Sequence, residues 1–210
     1  MGREITIDDK FVSNLRKGDM KSFHQLYEHF APSMKLICKR YVKNDADADD
    51  VFHEGFLKVY KNIGSLKKSS SLVGWMKRIF INAALDHYKK SKGEMTENID
   101  EVNEQRIDNQ DSIGQDDLDF NGKARGNELQ LIRRVDFTQE EMLETLKQIP
   151  EHFRVVFQLF VIDEYKHQEI ADLLSINVKT SKTRLLRARI LLKEELFKLA
   201  NQKIRDGRSG

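Results

Sequence analysis

The chain has 210 residues, 39% apolar and 33% charged, a soluble and strongly charged profile with room for one large domain or two small ones. Its 36 basic and 34 acidic residues leave a net charge of only +2, so partners have to be argued segment by segment. A single cysteine, Cys38, excludes a disulfide framework or a thiolate metal site, and no apolar run is long enough to span a bilayer.

The start of the chain lacks a charged-then-apolar export signal, so a cytoplasmic location without membrane insertion is expected. Two prolines and few alternating β-branched runs predict an all-α fold. Residues 7 to about 43 carry two helical patterns. The first holds Phe11, Val12 and Leu15; after the break at Lys17-Gly18-Asp19, the second holds Phe23, Leu26, Tyr27, Phe30, Met34, Ile37, Cys38 and Tyr41. Asp19 is its expected cap, and Pro32 is expected to kink or split it. A third helix opens at Asp45 or Asp47, where acidic side chains suit the positive end of the dipole. Its buried stripe is Val51, Phe52, Phe56, Val59, Tyr60 and Ile63, leaving Asp50, His53 and Glu54 as an exposed acidic patch. His53-Glu54 is not a zinc-protease motif, because Leu57 stands where the second histidine would be needed.

Leu66 to Ser71 reads as a flexible, polar, basic loop containing Lys67, Lys68, Ser69, Ser70 and Ser71. In the amphipathic helix that follows, Trp75, Ile79, Ala83, Ala84 and Tyr88 are expected inside, with Lys77, Arg78, Asn82, Lys89 and Lys90 outside. A basic helix beside a basic loop suits single-stranded DNA, where phosphates take the cations and unstacked bases find a pocket. From 94 to 136 the periodicity stops in favour of Asp, Glu, Asn, Gln and Gly, which predicts an acidic linker between two domains, 7–93 and 137–202.

Order resumes at Phe137-Thr138, with Thr138 as cap, and breaks again at Ile149-Pro150-Glu151. Tyr165 to Leu192 then reads as two helices about a tight break. The first carries Ile170, Ala171, Leu173 and Leu174. Asn177 caps the second, which turns Val178, Ser181, Leu185, Ala188 and Leu192 inward. Lys179, Thr183 and Arg187 are expected outside, flanked by Lys182, Arg184 and Arg189. This is a helix-turn-helix pattern whose second helix fits the major groove. Lys166 and Ser175 stand where a capping Ser or Thr and a turn-easing Gly would be usual.

In this order the pieces resemble bacterial RNA polymerase sigma factors of the extracytoplasmic-function (ECF) group, within the sigma-70 family. DDVFHEGFLKVY is similar to that family's Asp-hydrophobic-hydrophobic-Gln-Glu-x-Phe, and WMKRIFINAALDHYKK to its Trp-Leu-x-x-Ile-Ala-x-Asn-x-x-x-Asp. The segment from Leu146 to Leu196 looks like its region four. The resemblance implies two small helical domains joined by a flexible acidic linker, with a C-terminal helix-turn-helix. It also implies partners: core RNA polymerase, promoter DNA and an anti-sigma factor. No cofactor, metal, catalytic residue or small-molecule substrate is implied. Asp50, His53, Glu54 and Phe56 match the segment that docks on the polymerase clamp, where a basic coiled coil calls for complementary charge. The loop from Leu66 to Val73 matches the one that captures a flipped base of the minus-ten element, and Lys77, Arg78 and Asn82 match further minus-ten contacts. Lys182, Thr183, Leu186 and Arg187 match the readers of the minus-thirty-five element, with Lys179 and Thr180 beside them for phosphates. His53 replaces the commoner Gln, and Ser181 a usual apolar residue. The alternative function is a helix-turn-helix regulator that binds DNA without core polymerase. No Gly-rich phosphate loop or Ser/His/Asp arrangement supports an enzyme.

Overall fold

The computed structural model describes residues 5–93 and 126–206. Among these residues every regular element is a helix, and the chain divides after Glu97 into two compact units.

In the first unit, Asp8 caps α1 (Asp9–Arg16) by accepting the Phe11 amide at 2.7 Å, and Phe11, Val12 and Leu15 turn inward. Gly18, at φ +77°, makes the turn that an L side chain would resist. Asp19 then caps α2 (Met20–Tyr41), accepting the Ser22 amide at 2.9 Å. Pro32 does not split this helix, which runs on to Tyr41. Its missing N–H orphans the carbonyl of Glu28, but both residues are exposed, so that carbonyl is open to water. Leu26, Phe30, Met34, Ile37, Cys38 and Tyr41 are buried as read from the sequence, and burial pushes the Cys38 thiol up to about 12, consistent with an inert core residue.

Helix α3 (Asp45–Asn62) opens at Asp45, one of the two expected positions, with Asn44 as its cap. The acidic first two turns tie α3 to its neighbours: Lys39 reaches Asp45 at 3.0 Å, Lys35 reaches Asp49 at 2.7 Å, and His87 lies 3.6 Å from Asp47. Helices α2, α3 and α4 (Leu72–Gly93) pack against one another, and α1 lies along α2. The crossing of α3 on α4 is close because Gly55 faces the Phe80 ring with no Cβ between them.

The face α4 buries is in part the expected one, with Ala83, Ala84 and Tyr88 inside, but Trp75 and Ile79 do not lead it. Leu72, Met76, Phe80, Ile81, Ala83, Ala84, Leu85 and Tyr88 are buried, while Trp75 and Ile79 are only half-buried. Trp75 is the larger apolar side chain, but the stripe through Leu72, Met76, Phe80 and Ala83 is the longer continuous one at helical spacing, and it determines the phase.

The second unit begins earlier than the sequence suggested. Residues 126–133, read as linker, form α5 (Gly126–Arg133). It lies along the C-terminal helix α9 (Val178–Asp206), with Leu129, Leu131 and Ile132 half-buried and Glu128 3.1 Å from Lys193. The rest of the acidic stretch, 94–125, falls outside the described residues. Thr138 and Glu141 complete a capping box on α6 (Gln139–Lys147). Helix α7 (Glu151–Phe157) runs into a π-helical turn, Gln158–Ile162, and α8 (His167–Leu174) precedes α9. Val155, Val156, Leu159, Ile170, Leu185 and Ala188 form the core where α7, α8 and α9 meet.

Candidate nucleic-acid interface

The helix-turn-helix closes through its backbone. Ser175 takes the left-handed conformation, φ 56°, and the Ile176 amide donates back to the Ala171 carbonyl at 3.0 Å. Asn177 accepts the Thr180 amide at 2.6 Å, fixing where α9 starts. At the entry of α8, Lys166 cannot accept from the helix; instead Glu169 accepts the Lys166 amide at 2.8 Å, supplying half of a capping box. The unusual residues at 166 and 175 therefore still give a closed turn.

On α9, Lys179 and Lys182 are exposed, and Thr180, Thr183, Leu186 and Arg187 are half-buried. Lys179, Lys182, Thr183, Leu186 and Arg187 share one face by helical spacing, with Thr180 at its edge. Ser181, Leu185 and Ala188 are buried behind them, and Val178 and Leu192 half-buried. Arg184, expected on the outer side, is 6% exposed. It lies about 140° around the helix from Lys179 and on the side of Ala188, so it belongs to the inner edge. Ser181 is 0% exposed, and its hydroxyl is 2.9 Å from His167 Nδ1. That ring stacks on Phe160 with centroids 4.3 Å apart and planes at 24°. Burial holds the imidazole below its ordinary pKa, with Lys182 and Arg189 acting in the same direction.

In the first unit, the loop before α4 is better anchored than a flexible loop would be. Ile63, Leu66 and Leu72 are buried, two 3-10 turns flank Leu66, and Arg16 donates to the Leu66 carbonyl. Lys67, Lys68, Ser70 and Ser71 are exposed and Ser69 half-buried, and the Ser71 hydroxyl donates to the Lys68 carbonyl at 2.8 Å. Lys77, Arg78 and Asn82 are all exposed. Arg78 and Asn82, four apart, share a face with the partly exposed Trp75. Lys77 is five residues before Asn82, about 140° away, and is not brought to it.

On α3, Asp50 and His53 are exposed and Glu54 is half-buried, on one face. Glu54 is already engaged, 2.9 Å from Lys58, which also reaches Asp86 of α4 at 3.0 Å. Although burial opposes it, the two carboxylates raise the Lys58 ammonium above its ordinary pKa. Asp50 therefore carries the outward negative charge of this patch. Phe56 sits among Tyr27, Phe52 and Phe80, with centroids 4.8, 5.0 and 5.1 Å away. Sequence reading missed the apolar surface beside it: Leu57 is 58% exposed, Tyr60 48%, Met20 69% and Tyr27 41%, with Phe23 4.7 Å from Tyr60. The helical spacing of His53, Phe56, Leu57 and Tyr60 along one side of α3 was the available signal, but Phe56 and Tyr60 were read as part of the buried stripe. Among the described residues, no three His, Cys, Asp or Glu side chains are grouped to hold a metal, and no helix is long and apolar enough to cross a membrane.

Two family models match, "Sigma-70 region 2" over residues 26–94 and "Sigma-70, region 4" over residues 139–192. The chain belongs to the sigma-70 family and is a promoter-directing sigma factor of the ECF group. It is similar to the ECF RNA polymerase sigma-E factor of Haemophilus influenzae, 25% identical over 205 residues, covering 93% of this chain and 98% of that protein. It is also similar to the ECF RNA polymerase sigma factor SigW of Bacillus subtilis, 26% identical over 187 residues and covering 89% and 95%. Among solved structures, the sigma factor RpoE of Bartonella quintana in complex with the anti-sigma factor NepR aligns with a TM-score of 0.46 and 17% identity, covering 84% of this chain and 97% of that one.

Proposed function

We propose that the chain divides the work of promoter recognition between its two units while bound to core RNA polymerase in the cytoplasm. The units are 7–93 for polymerase and minus-ten binding and 137–202 for minus-thirty-five binding, with α5 adding to the second unit from the segment between them. Region four reads duplex minus-thirty-five DNA: Lys182, Thr183, Leu186 and Arg187 meet base edges, and Lys179 and Thr180 hold phosphates. Region two traps the separated strand: Arg78 and Asn82 contact the minus-ten bases, and Lys67, Lys68 and Ser69 to Ser71 frame the pocket for a flipped one. Lys77, on another side of α4, serves phosphate. Flipping a base costs a few kcal/mol of unstacking, and capture offsets part of it by favouring the open state.

The docking face is Asp50, His53, Glu54 and Phe56, extended by the exposed Tyr27, Leu57 and Tyr60. An aromatic strip with an acidic end suits an amphipathic, basic coiled coil better than charge alone does. No catalytic step falls to this chain, because bond formation belongs to the polymerase. Family membership also brings an anti-sigma factor into the proposal, as a partner that withholds the chain from polymerase.

The observation that most supports this reading is the coincidence of two faces in separate units: exposed Arg78 and Asn82 on α4, and the basic outer face of α9 behind a closed helix-turn-helix. Mixing the chain with purified core and promoter fragments tests it. Co-elution and promoter-dependent run-off transcripts, absent with core alone, are expected. Tight binding of a palindromic duplex with no affinity for core would favour the conventional regulator instead.

A further inference from the structure

We propose that His167 and Ser181 form a polar clasp that sets the rotation of α9 about its own axis, making His167 a positioning residue for minus-thirty-five recognition. The inference rests on the reading of α9 given above. Ser181 is fully buried on the inner face of α9, one residue before Lys182 and two before Thr183. Its Oγ is 2.9 Å from Nδ1 of His167, the first residue of α8, and the direction of that hydrogen bond follows the histidine tautomer. The ring is held from a third segment, because it stacks on Phe160 of the π-helical turn. Lys182 and Arg189 of α9 act on it electrostatically and, with burial, favour the neutral ring.

An apolar side chain at 181 would pack without preferring one direction, since apolar burial is not directional. A buried hydroxyl does prefer one: it must keep its partner, or be left unpaired away from water. Rotation of α9 would break this bond, so the bond resists rotation. With side-chain ends about 5–6 Å from the helix axis, a turn of about 20° would move them by roughly 2 Å. That is enough to lose a hydrogen bond to a base edge, whose donor–acceptor distance spans only a few tenths of an ångström. The clasp thus lies directly behind the residues whose aim decides which base is accepted.

The test uses the full chain with core polymerase and a promoter it transcribes, beside the same promoter carrying single-base changes in its minus-thirty-five element. The readout is the ratio of affinities for matched and changed fragments. Ser181→Ala and His167→Phe should each reduce that ratio by about 3- to 10-fold, the range that one net hydrogen bond spans. Ser181→Thr keeps the hydroxyl, and His167→Asn keeps a polar atom near the position of Nδ1; both should retain most of the ratio. The double variant Ser181→Ala/His167→Phe should be little worse than either single one. A uniform loss on all fragments, with the ratio intact, would mean the pair only supports the fold, and the proposal is overturned. If His167→Phe fails to fold, the Ser181→Ala and Ser181→Thr pair decides by the same ratio. Lys182→Ala and Arg187→Ala serve as controls: if neither changes the ratio, the assignment of α9 fails, and the clasp with it.

Discussion

At Gly55 a single hydrogen occupies a place where a Cβ would lie 2.4 Å from the Phe80 ring. Phe80 is fully buried and meets Phe52 and Phe56, so it has little room to retreat. Gly55→Ala should therefore destabilise the chain by about 1–3 kcal/mol, the usual cost of overpacking, measured as a lower urea midpoint. An unchanged midpoint would mean that α3 and α4 do not cross this closely. His167 gives a second prediction. Burial, aided by Lys182 and Arg189, lowers its pKa in the folded chain below the ordinary 6.5. On acidification the unfolded chain takes up this proton first, so the histidine's contribution is intact above about pH 6.5 and is lost as pH falls toward the folded value. Urea midpoints of wild type and His167→Asn should converge over that window as pH is lowered; a difference independent of pH would contradict it. Single-residue roles were unevenly legible in the sequence. Asp19 and Asn177 could be read as caps because their chemistry is local. Trp75 and Arg184 were misplaced because exposure depends on which face the neighbouring helices cover.

At the scale of elements, the first turn of α9 carries Lys179 and Thr180, the phosphate contacts proposed above. Asn177 satisfies the Thr180 amide there. Asn177→Ala should cost about 0.5–2 kcal/mol in denaturation of the full chain. It should also weaken duplex binding by the holoenzyme, whereas a loss of stability without any loss of binding would show that the first turn is not part of the interface. The long helices were legible from their apolar periodicity, which repeats over several turns. Helix α5 was not: eight residues with three half-buried apolar side chains are hidden when composition is averaged across a long acidic stretch. It packs on α9, some sixty residues away, and a distant partner leaves no local signal. At Pro32 the helix runs on, since an exposed proline removes one hydrogen bond whose acceptor water can still serve.

At the scale of the whole molecule, a net charge of +2 averages over surfaces that do different work. The acidic start of α3 binds largely to the protein itself: Asp45, Asp47 and Asp49 face Lys39, His87 and Lys35, and Asp50 remains outward. The docking face proposed above would then offer a polymerase apolar as well as acidic surface, through Tyr27, Phe56, Leu57 and Tyr60. The class of protein was legible because two motifs fall in a fixed order along the chain. The exposure of Tyr27, Leu57 and Tyr60 was not, because periodicity alone does not tell a side chain covered by this chain from one left to solvent.

The central claim is that one unit holds double-stranded promoter DNA while the other captures the opened strand. Permanganate footprinting of promoter complexes formed with core polymerase and either the wild-type chain or Asn82→Ala tests it most directly. The account predicts reactive thymines across the minus-ten element with the wild type. With Asn82→Ala it predicts a several-fold loss of that reactivity while the variant still co-elutes with core. Equal reactivity in the two complexes, or loss of core binding by the variant, would contradict it.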